Sequence, residues 1–460
     1  AHYGWNLSIQ ENNEMKKILI IAFTAAIISG ALGAESLTLT VDSAVELAVA
    51  QNLGLKQTGI DVRTRERAKD TAWNAFLPSM SASAGLNGTN QIFTDYGQAV
   101  PVLGENPATR FTTGLNIGLP LNAGVGAGIK NLVADYEAGL INYEDAQKKL
   151  ERDVRKQFYL LLGNQENIKI QEGNIALAEK RLTQARNNFD NGLAPELEVL
   201  SAEVTVANLQ PAYNGTVATY DSLMLFFKFL IGEDRNTDIN LDGNLETELY
   251  DLDSENLIND YIARRLDVRG LDKQIEAMEY TKKGLGMQFN TPTLNLGYNY
   301  SFGGSSNTYA PPTGQEAWSD WQDTGSFSLT LNWKFDGLVP GSKTDVQLKE
   351  IQDGIDTLSL AKQMAFESAG MEITNLVNNL NTSRKTIEAN TSSVELAKRN
   401  YELTEEAYNV GTRELLDVES RQQDYLQAVQ QLLLAKYAYI AGLLDLEYAL
   451  NTPMNEYLNR

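Results

Sequence analysis

Four segments of about ten residues alternate between apolar and small polar side chains, and this limits the chain more than any other feature. After Pro78, Met80, Ala82, Ala84 and Leu86 alternate with Ser79, Ser81, Ser83, Gly85 and Asn87. In 111–119, Phe111, Thr113, Leu115, Ile117 and Leu119 oppose Thr112, Gly114, Asn116 and Gly118. After Pro292, Leu294, Leu296, Tyr298, Tyr300 and Phe302 oppose Thr293, Asn295, Gly297, Asn299 and Ser301. The fourth segment sets Phe327, Leu329, Leu331, Trp333 and Phe335 against Ser326, Ser328, Thr330, Asn332 and Lys334. A period of two places each apolar set on one face of a strand. A soluble sheet with one wet face alternates equally well. Strand length and aromatic residues near the strand ends match a transmembrane β-barrel.

Four such strands cannot close a barrel, because the smallest single-chain bacterial barrels have about eight. An open edge in lipid leaves backbone groups unpaired, at several kcal/mol each. More than one copy is therefore required: two chains supply eight strands, three supply twelve. An eight-stranded barrel is filled by its own side chains, whereas twelve strands leave a passage.

Long helical tracts follow each strand pair. Residues 124–190 and 343–409 contain no proline, and each predicts a helix of about 100 Å. Apolar residues recur at three and four: Leu132, Tyr136, Leu140, Tyr143, Leu150, Val154, Phe158 and Leu161 in the first tract. Leu358, Ala361, Ala365, Met371, Leu376 and Leu380 form the second stripe. Such long helices need neighbours along their length. Gly192 and Gly411 stand at the C-terminal positions. Return helices are predicted over 196–231 and 414–449, and shorter helical pieces over 42–76 and 255–288.

The pattern occurs twice. Pro78 and Pro292 lie 214 residues apart, and Phe189-Asp190-Asn191-Gly192 pairs with Tyr408-Asn409-Val410-Gly411. The expected organisation is a first repeat over 35–232, with a strand pair at about 79–119, and a second over 254–452, with a strand pair at about 293–335. An acidic linker, 233–253, joins them, and 453–460 form a tail. Met15-Lys16-Lys17, the apolar run 18–28 and small residues to Ala34 predict a signal peptide over 15–34, with 1–14 as an upstream extension. Cleavage after Gly33 or Ala34 fits equally, and no Cys is present there for a lipid anchor.

Composition excludes several functions. The 38 Lys+Arg against 60 Asp+Glu give −22, which opposes binding to nucleic acid. With no Cys and a single His, His2, the chain offers no His-dependent triad, Cys nucleophile or Cys/His zinc site. Asp251-x-Asp253-x-Glu255 lacks the glycine and distal glutamate of a calcium loop. It reads better as an acidic linker with Ser254 capping the next helix. Gly124-x-Gly126-x-Gly128 lacks phosphate-loop spacing and reads as a tight strand-to-helix crossover. No catalytic, metal or cofactor residues are assigned.

In this order of elements the chain, from about residue 36 to 452, resembles the TolC-type outer-membrane efflux proteins. The most specific stretch is Tyr408-Asn409-Val410-Gly411-Thr412-Arg413-Glu414-Leu415-Leu416-Asp417-Val418, with its counterpart from Phe189 to Val199. Ala44-Val45-Glu46-Leu47-Ala48 with Asn52, Leu77-Pro78 and Arg265-Leu266-Asp267-Val268-Arg269 also match. The resemblance implies an α+β membrane protein: a homotrimer whose twelve-stranded outer-membrane barrel continues into a periplasmic α-helical tunnel. Most of its mass would lie in the periplasm of a diderm bacterium. It implies an exit duct for tripartite efflux or type I secretion, partnered by a periplasmic adaptor and an inner-membrane pump. The turns at Asn191, Gly192, Val410, Gly411 and Thr412 would form the docking tip. Asp417 would fall on an acidic ring at the constriction, and Arg413, Tyr408 and Glu198 on contacts that hold the tip shut. Ser420 replaces a second acidic position, and Pro195 departs from the usual first turn. A non-conducting barrel-anchored stalk or adhesin is the alternative, and an exported hydrolase is a third reading without residues to support it.

Overall fold

A computed structural model describes residues 37–88, 109–246, 248–306, 319–335 and 339–457. The signal-peptide segment 15–34, the extension 1–14, most of the first strand-to-strand loop, Gly337-Leu338 and the last three residues of the tail lie outside the described residues.

In chain order the elements are β1 (Leu37–Leu39), α1 (Val41–Gln51), α2 (Leu53–Asp70), a 3-10 turn (Ala72–Phe76), β2 (Ser79–Gly88), β3 (Thr109–Leu121), α3 (Val125–Asp190) and α4 (Glu196–Ile231). Then come β4 (Ile239–Leu241), α5 (Ser254–Tyr261), α6 (Leu266–Asn290), β5 (Thr293–Ser306), β6 (Ser319–Asn332), α7 (Lys343–Asn409), α8 (Leu415–Leu450) and α9 (Met454–Tyr457). These elements form two compact units, and the division falls within α3.

The first unit comprises 37–51 and 157–245. Its root is an apolar knot in which Phe158, Phe227 and Ile231 are fully buried and the two rings lie 6.2 Å apart. Gln157 Nε2 donates to the Leu223 carbonyl at 3.0 Å. The acidic linker is not free of structure here, since β4 pairs in parallel with β1, Leu37 opposite Ile239 and Leu39 opposite Leu241.

The second unit comprises 52–156 and 246–457 of the described chain. Its sheet has the order β2-β3-β5-β6, antiparallel throughout. Beside the sheet, α3 and α6 cross backbone to backbone, because a Cβ on Gly124 would collide with the Gly284 carbonyl. Gly126 and Gly128 face open space, so only Gly124 of the triplet has a steric role. That close crossing moves the buried face of early α3 onto small residues. Ala127, Ala134, Ala138 and Ile141 are buried, whereas the expected Leu140 is exposed and Leu132, Tyr136 and Tyr143 are half-buried. From Leu150 onward the expected stripe holds, with Leu150, Val154, Phe158 and Leu161 buried.

On α7 the buried face is Ile355, Ala369, Ile373, Val377, Leu380 and Ile387. Met371, expected in the stripe, is exposed because it lies two residues, about 200° of rotation, from both Ala369 and Ile373. Tyr261, Ile373, Val377, Leu380, Tyr439 and Leu446 form the core of α5, α7 and α8. The linker is strapped to this core. Asn381 accepts from the Leu252 amide at 3.3 Å and donates to its carbonyl at 3.0 Å, while Tyr439 Oη accepts from the Tyr250 amide at 2.8 Å.

Three boundaries differ from expectation. Asp253, not Ser254, caps α5, its carboxylate accepting from the Glu255 amide at 3.0 Å. β6 ends at Asn332, short of Trp333 and Phe335. Residues 303–306 and 319–324, beyond the alternating segments read from the sequence, extend β5 and β6, with a register irregularity between Gly303 and Ser305.

At the start of α6, Arg265 bridges three elements. It donates to Asp267 at 2.9 Å, to Glu372 of α7 at 2.8 Å and to the Ala449 carbonyl of α8 at 3.4 Å. Burial pushes the Asp267 carboxyl up, but the hydrogen bond and charge of Arg265, with the Val268 amide, hold it below the usual range. A carboxylate held low stabilises the fold at pH above its ordinary value of about 4 and loses that contribution as pH falls through the lowered value. We expect Asp267→Asn to lower the denaturant midpoint at neutral pH and to converge with the wild type in acid. Parallel pH profiles for the two proteins would show that the carboxylate contributes nothing.

Candidate functional site

The strand register sorts the sheet into two chemically opposite faces. Rows across the strands run Met80–Ile117–Tyr298–Phe327 and Leu119–Leu296–Leu329 on one side. On the other they run Ser81–Asn116–Asn299–Ser326 and Ser79–Gly118–Gly297–Ser328. In the amide row, Asn299 Nδ2 donates to Asn116 Oδ1 at 2.7 Å. A concavity of about 470 Å³ lies over the polar face, lined by Ser79, Ser81, Gly118, Asn295, Gly297 and Ser328 among others. The apolar residues Met80, Leu86, Phe327, Leu329 and Leu331 are exposed.

Aromatic clusters mark both ends. Phe302 stacks on Trp321 at 5.3 Å with Phe111 edge-on at 6.3 Å, and Trp333 and Phe335 lie 4.9 Å apart just past the other end. Trp321 and Trp333 are twelve residues apart, about 40 Å along a strand. In a barrel whose strands tilt by about 40°, such a span corresponds to about 30 Å in height, the thickness of a bilayer's hydrocarbon core. Among the described residues, no helix is long and apolar enough to cross a membrane.

The two helix-to-helix turns share one geometry. In the first unit, Gly192 has φ +70°, the Gly192 amide donates to the Phe189 carbonyl and the Leu193 amide to that of Asn188, both at 2.8 Å. In the second unit, Gly411 has φ +76°, with Gly411 donating to Tyr408 and Thr412 to Ala407, both at 2.9 Å. This paired closure requires a left-handed residue, which glycine adopts without strain. Pro195 fits the first turn, because the position before α4 is extended at φ −75°, as is Glu414 before α8. Asn191 Nδ2 closes onto the Asn187 carbonyl at 2.7 Å, and Thr412 Oγ1 onto that of Ala407 at 2.9 Å.

The structure brings Arg413, in the bend just before α8, within 3.4 Å of Asp417 in the first turn of that helix, both well exposed. Tyr408 lies in the last turn of α7, and its carbonyl accepts from Gly411. Glu198 lies in the first turn of α4, in the first unit. Reading the sequence for charge missed the apolar residues beside the turns: Leu193, Leu197, Val410 and Leu416 are each at least two-thirds exposed. Their position beside glycine turns was the available clue. Among the described residues, no group of three or more acidic or His side chains is placed to hold a metal.

A two-faced sheet with membrane-height aromatic bands, joined to paired long helices, defines an outer-membrane channel fold. The chain belongs to the outer membrane efflux protein family, whose profile matches residues 44–218 and 257–452, and it is an outer-membrane efflux duct. It is similar to the outer membrane protein TolC of Vibrio cholerae, at 24% identity over 67% of this chain and 69% of that protein. The TolC of Salmonella enteritidis is 32% identical over 36% of this chain and 33% of its own length. The fold is shared with the Campylobacter jejuni CmeC outer membrane channel, with a TM-score of 0.70, 18% identity and coverage of 89% of this chain and 85% of that one.

The sorting of faces predicts unequal tolerance. Leu296→Arg or Leu329→Arg should cost roughly 2–4 kcal/mol and block insertion into lipid vesicles, while Asn295→Gln and Thr330→Asn should insert normally. Equal tolerance on both faces would mean that the alternation serves a water-facing sheet.

Proposed function

We propose that three copies of the chain close a twelve-stranded barrel in the outer membrane and conduct cargo outward from a periplasmic helical tunnel. The observation that supports this most is the sheet with two free edges and two opposed faces. β2 and β6 each pair on one side only among the described strands, and successive antiparallel strands leave them running in opposite directions. β6 of one copy therefore suits antiparallel pairing with β2 of the next, a head-to-tail contact that closes as a ring. Closure turns the serine, asparagine and glycine rows inward and the leucine and aromatic rows to lipid. Three copies rather than two leave a lumen that side chains do not fill.

The turns at Asn191, Gly192, Val410, Gly411 and Thr412 form the tip, where a periplasmic adaptor serving an inner-membrane pump docks. Three copies of Asp417 near the axis gather cations, and Arg413, Tyr408 and Glu198 link neighbouring helix pairs. Each exposed ion pair contributes roughly 0.2–1 kcal/mol, so three copies hold the tip by about 1–3 kcal/mol in all. A docking partner can overcome a hold of that size.

The chain contains no Cys, so single-cysteine variants report cleanly. In planar bilayers, a membrane-impermeant thiol reagent should lower the conductance of Asn299→Cys and leave Leu329→Cys unchanged. If neither variant responds, or both do, the lumen is not where we place it.

Selectivity tests the tip. Asp417→Ala should reduce preference for cations, whereas Arg413→Ser should raise the open fraction several-fold to a hundredfold, at about 1.4 kcal/mol per tenfold. Recordings in which both variants match the wild type would make the pair an ordinary helix-surface contact.

A further inference from the structure

We propose that the first helix hairpin carries a built-in joint midway along its length, between α3 residues 164–177 and α4 residues 203–223, on which its distal half swings. Four observations within the first unit coincide there. The seam of α3 changes chemistry: after the buried Phe158 and Leu161 it runs through Asn164, the half-buried Ile168, Gln171 and the half-buried Ile175 to the buried Ala178 and Ala185. The spacing of three and four is kept while amides interrupt the apolar contacts, a substitution that costs helix pairs stability.

Facing this stretch, α4 carries Pro211 inside the helix. Proline has no amide hydrogen, so the Ala207 carbonyl loses its helical donor and the proline ring crowds it. The two helices meet there through polar contacts. Gln171 Nε2 donates to Thr216 Oγ1 at 3.0 Å, and Tyr213 Oη donates to Glu172 at 2.9 Å. Gln171 Oε1 is buried without a hydrogen-bond partner, a further cost that a tightly packed pair would not keep.

Packing shows the same gap. No residue is buried in 164–177 of α3, and none in the 21 residues 203–223 of α4. In α8, the return helix of the second hairpin, no run between buried residues exceeds six, so the contrast is between the two return helices; the distal 388–409 of α7 also holds no buried residue. The root of the first hairpin is fixed by Phe158, Phe227 and Ile231, so bending concentrates where packing is lost. Beyond the joint lie Glu198 and the Gly192 turn. Its use in opening the tip rests on the reading of the chain as a duct; its existence does not.

Hydrogen exchange on the detergent-solubilised protein tests the joint. Amides of 203–223 should exchange at least roughly tenfold faster than those of 224–231, since local opening follows packing. Pro211→Ala should slow that stretch by roughly tenfold or more, because it restores a helical donor and removes a helix-breaking ring. Gln171→Leu should slow it independently, with 224–231 unchanged in both variants. Exchange in 203–223 as slow as in 224–231, or indifference to Pro211→Ala, overturns the joint. In bilayers, Pro211→Ala should open less often, with unchanged conductance once open. Slowed exchange with unchanged opening frequency overturns the gating role. Absence of any current from the wild type would be a failure of the duct reading alone, since exchange requires no current.

Discussion

The hydrogen bonds that the outer edges of β2 and β6 do not make among the described strands set the demand that the rest of the structure answers. Ten register pairs tie β2 to β3 and thirteen tie β3 to β5, yet among the described strands the outer edges of the sheet have no partner. In hydrocarbon each unpaired amide or carbonyl costs several kcal/mol, far more than any surface ion pair in the molecule contributes. In the proposed ring the efflux fold therefore specifies its own association. There, a polar face that water reaches and an apolar face that lipid covers are both satisfied once the edges meet.

In the helices, stability comes from a different source. The helices are thinly apolar, and their buried positions include Ala134, Ala138, Ala178, Ala185 and Ala369. Close approach substitutes for bulk, as where Gly124 meets Gly284. Charged residues stitch neighbouring helices: Lys273 reaches Glu137 at 2.6 Å and Lys362 reaches Asp272 at 2.6 Å, while Arg265 spans three helices. The acidic excess is thus organised around a small number of cations at helix contacts.

Much of this was legible in the sequence, for identifiable reasons. The strands were readable because their two faces differ so sharply, and the bounds of α4 and α7 because prolines and glycines stand outside or at their ends. Pro211 is the exception: it sits inside a helix that its residue type argues against. Early α3 departs from the stripe that its leucines and tyrosines predict, because close helix approach buries Ala127, Ala134 and Ala138, with Ile141 the larger exception. The cap of α5 lies one residue before Ser254, since Asp253 and Ser254 are both good caps and only geometry separates them. Of the site, the glycine turns and the Arg413–Asp417 spacing were visible. The exposed leucines beside the turns were not, because hydrophobicity by itself does not say which side of a helix lacks a neighbour. The pairing of β3 with β5 joins residues nearly two hundred positions apart, which no local pattern encodes.

That pairing has a kinetic meaning. In the proposed ring, six two-stranded hairpins meet along six seams, and in every chain one seam, β3 with β5, is already made. A covalent connection replaces an encounter between molecules with closure at an effective concentration on the order of millimolar. Six hairpins would otherwise have to find one another in the plane of a membrane. Doubling the unit within one polypeptide cuts the number of bodies that must collide from six to three, and half of the barrel's seams become independent of how much protein the membrane holds.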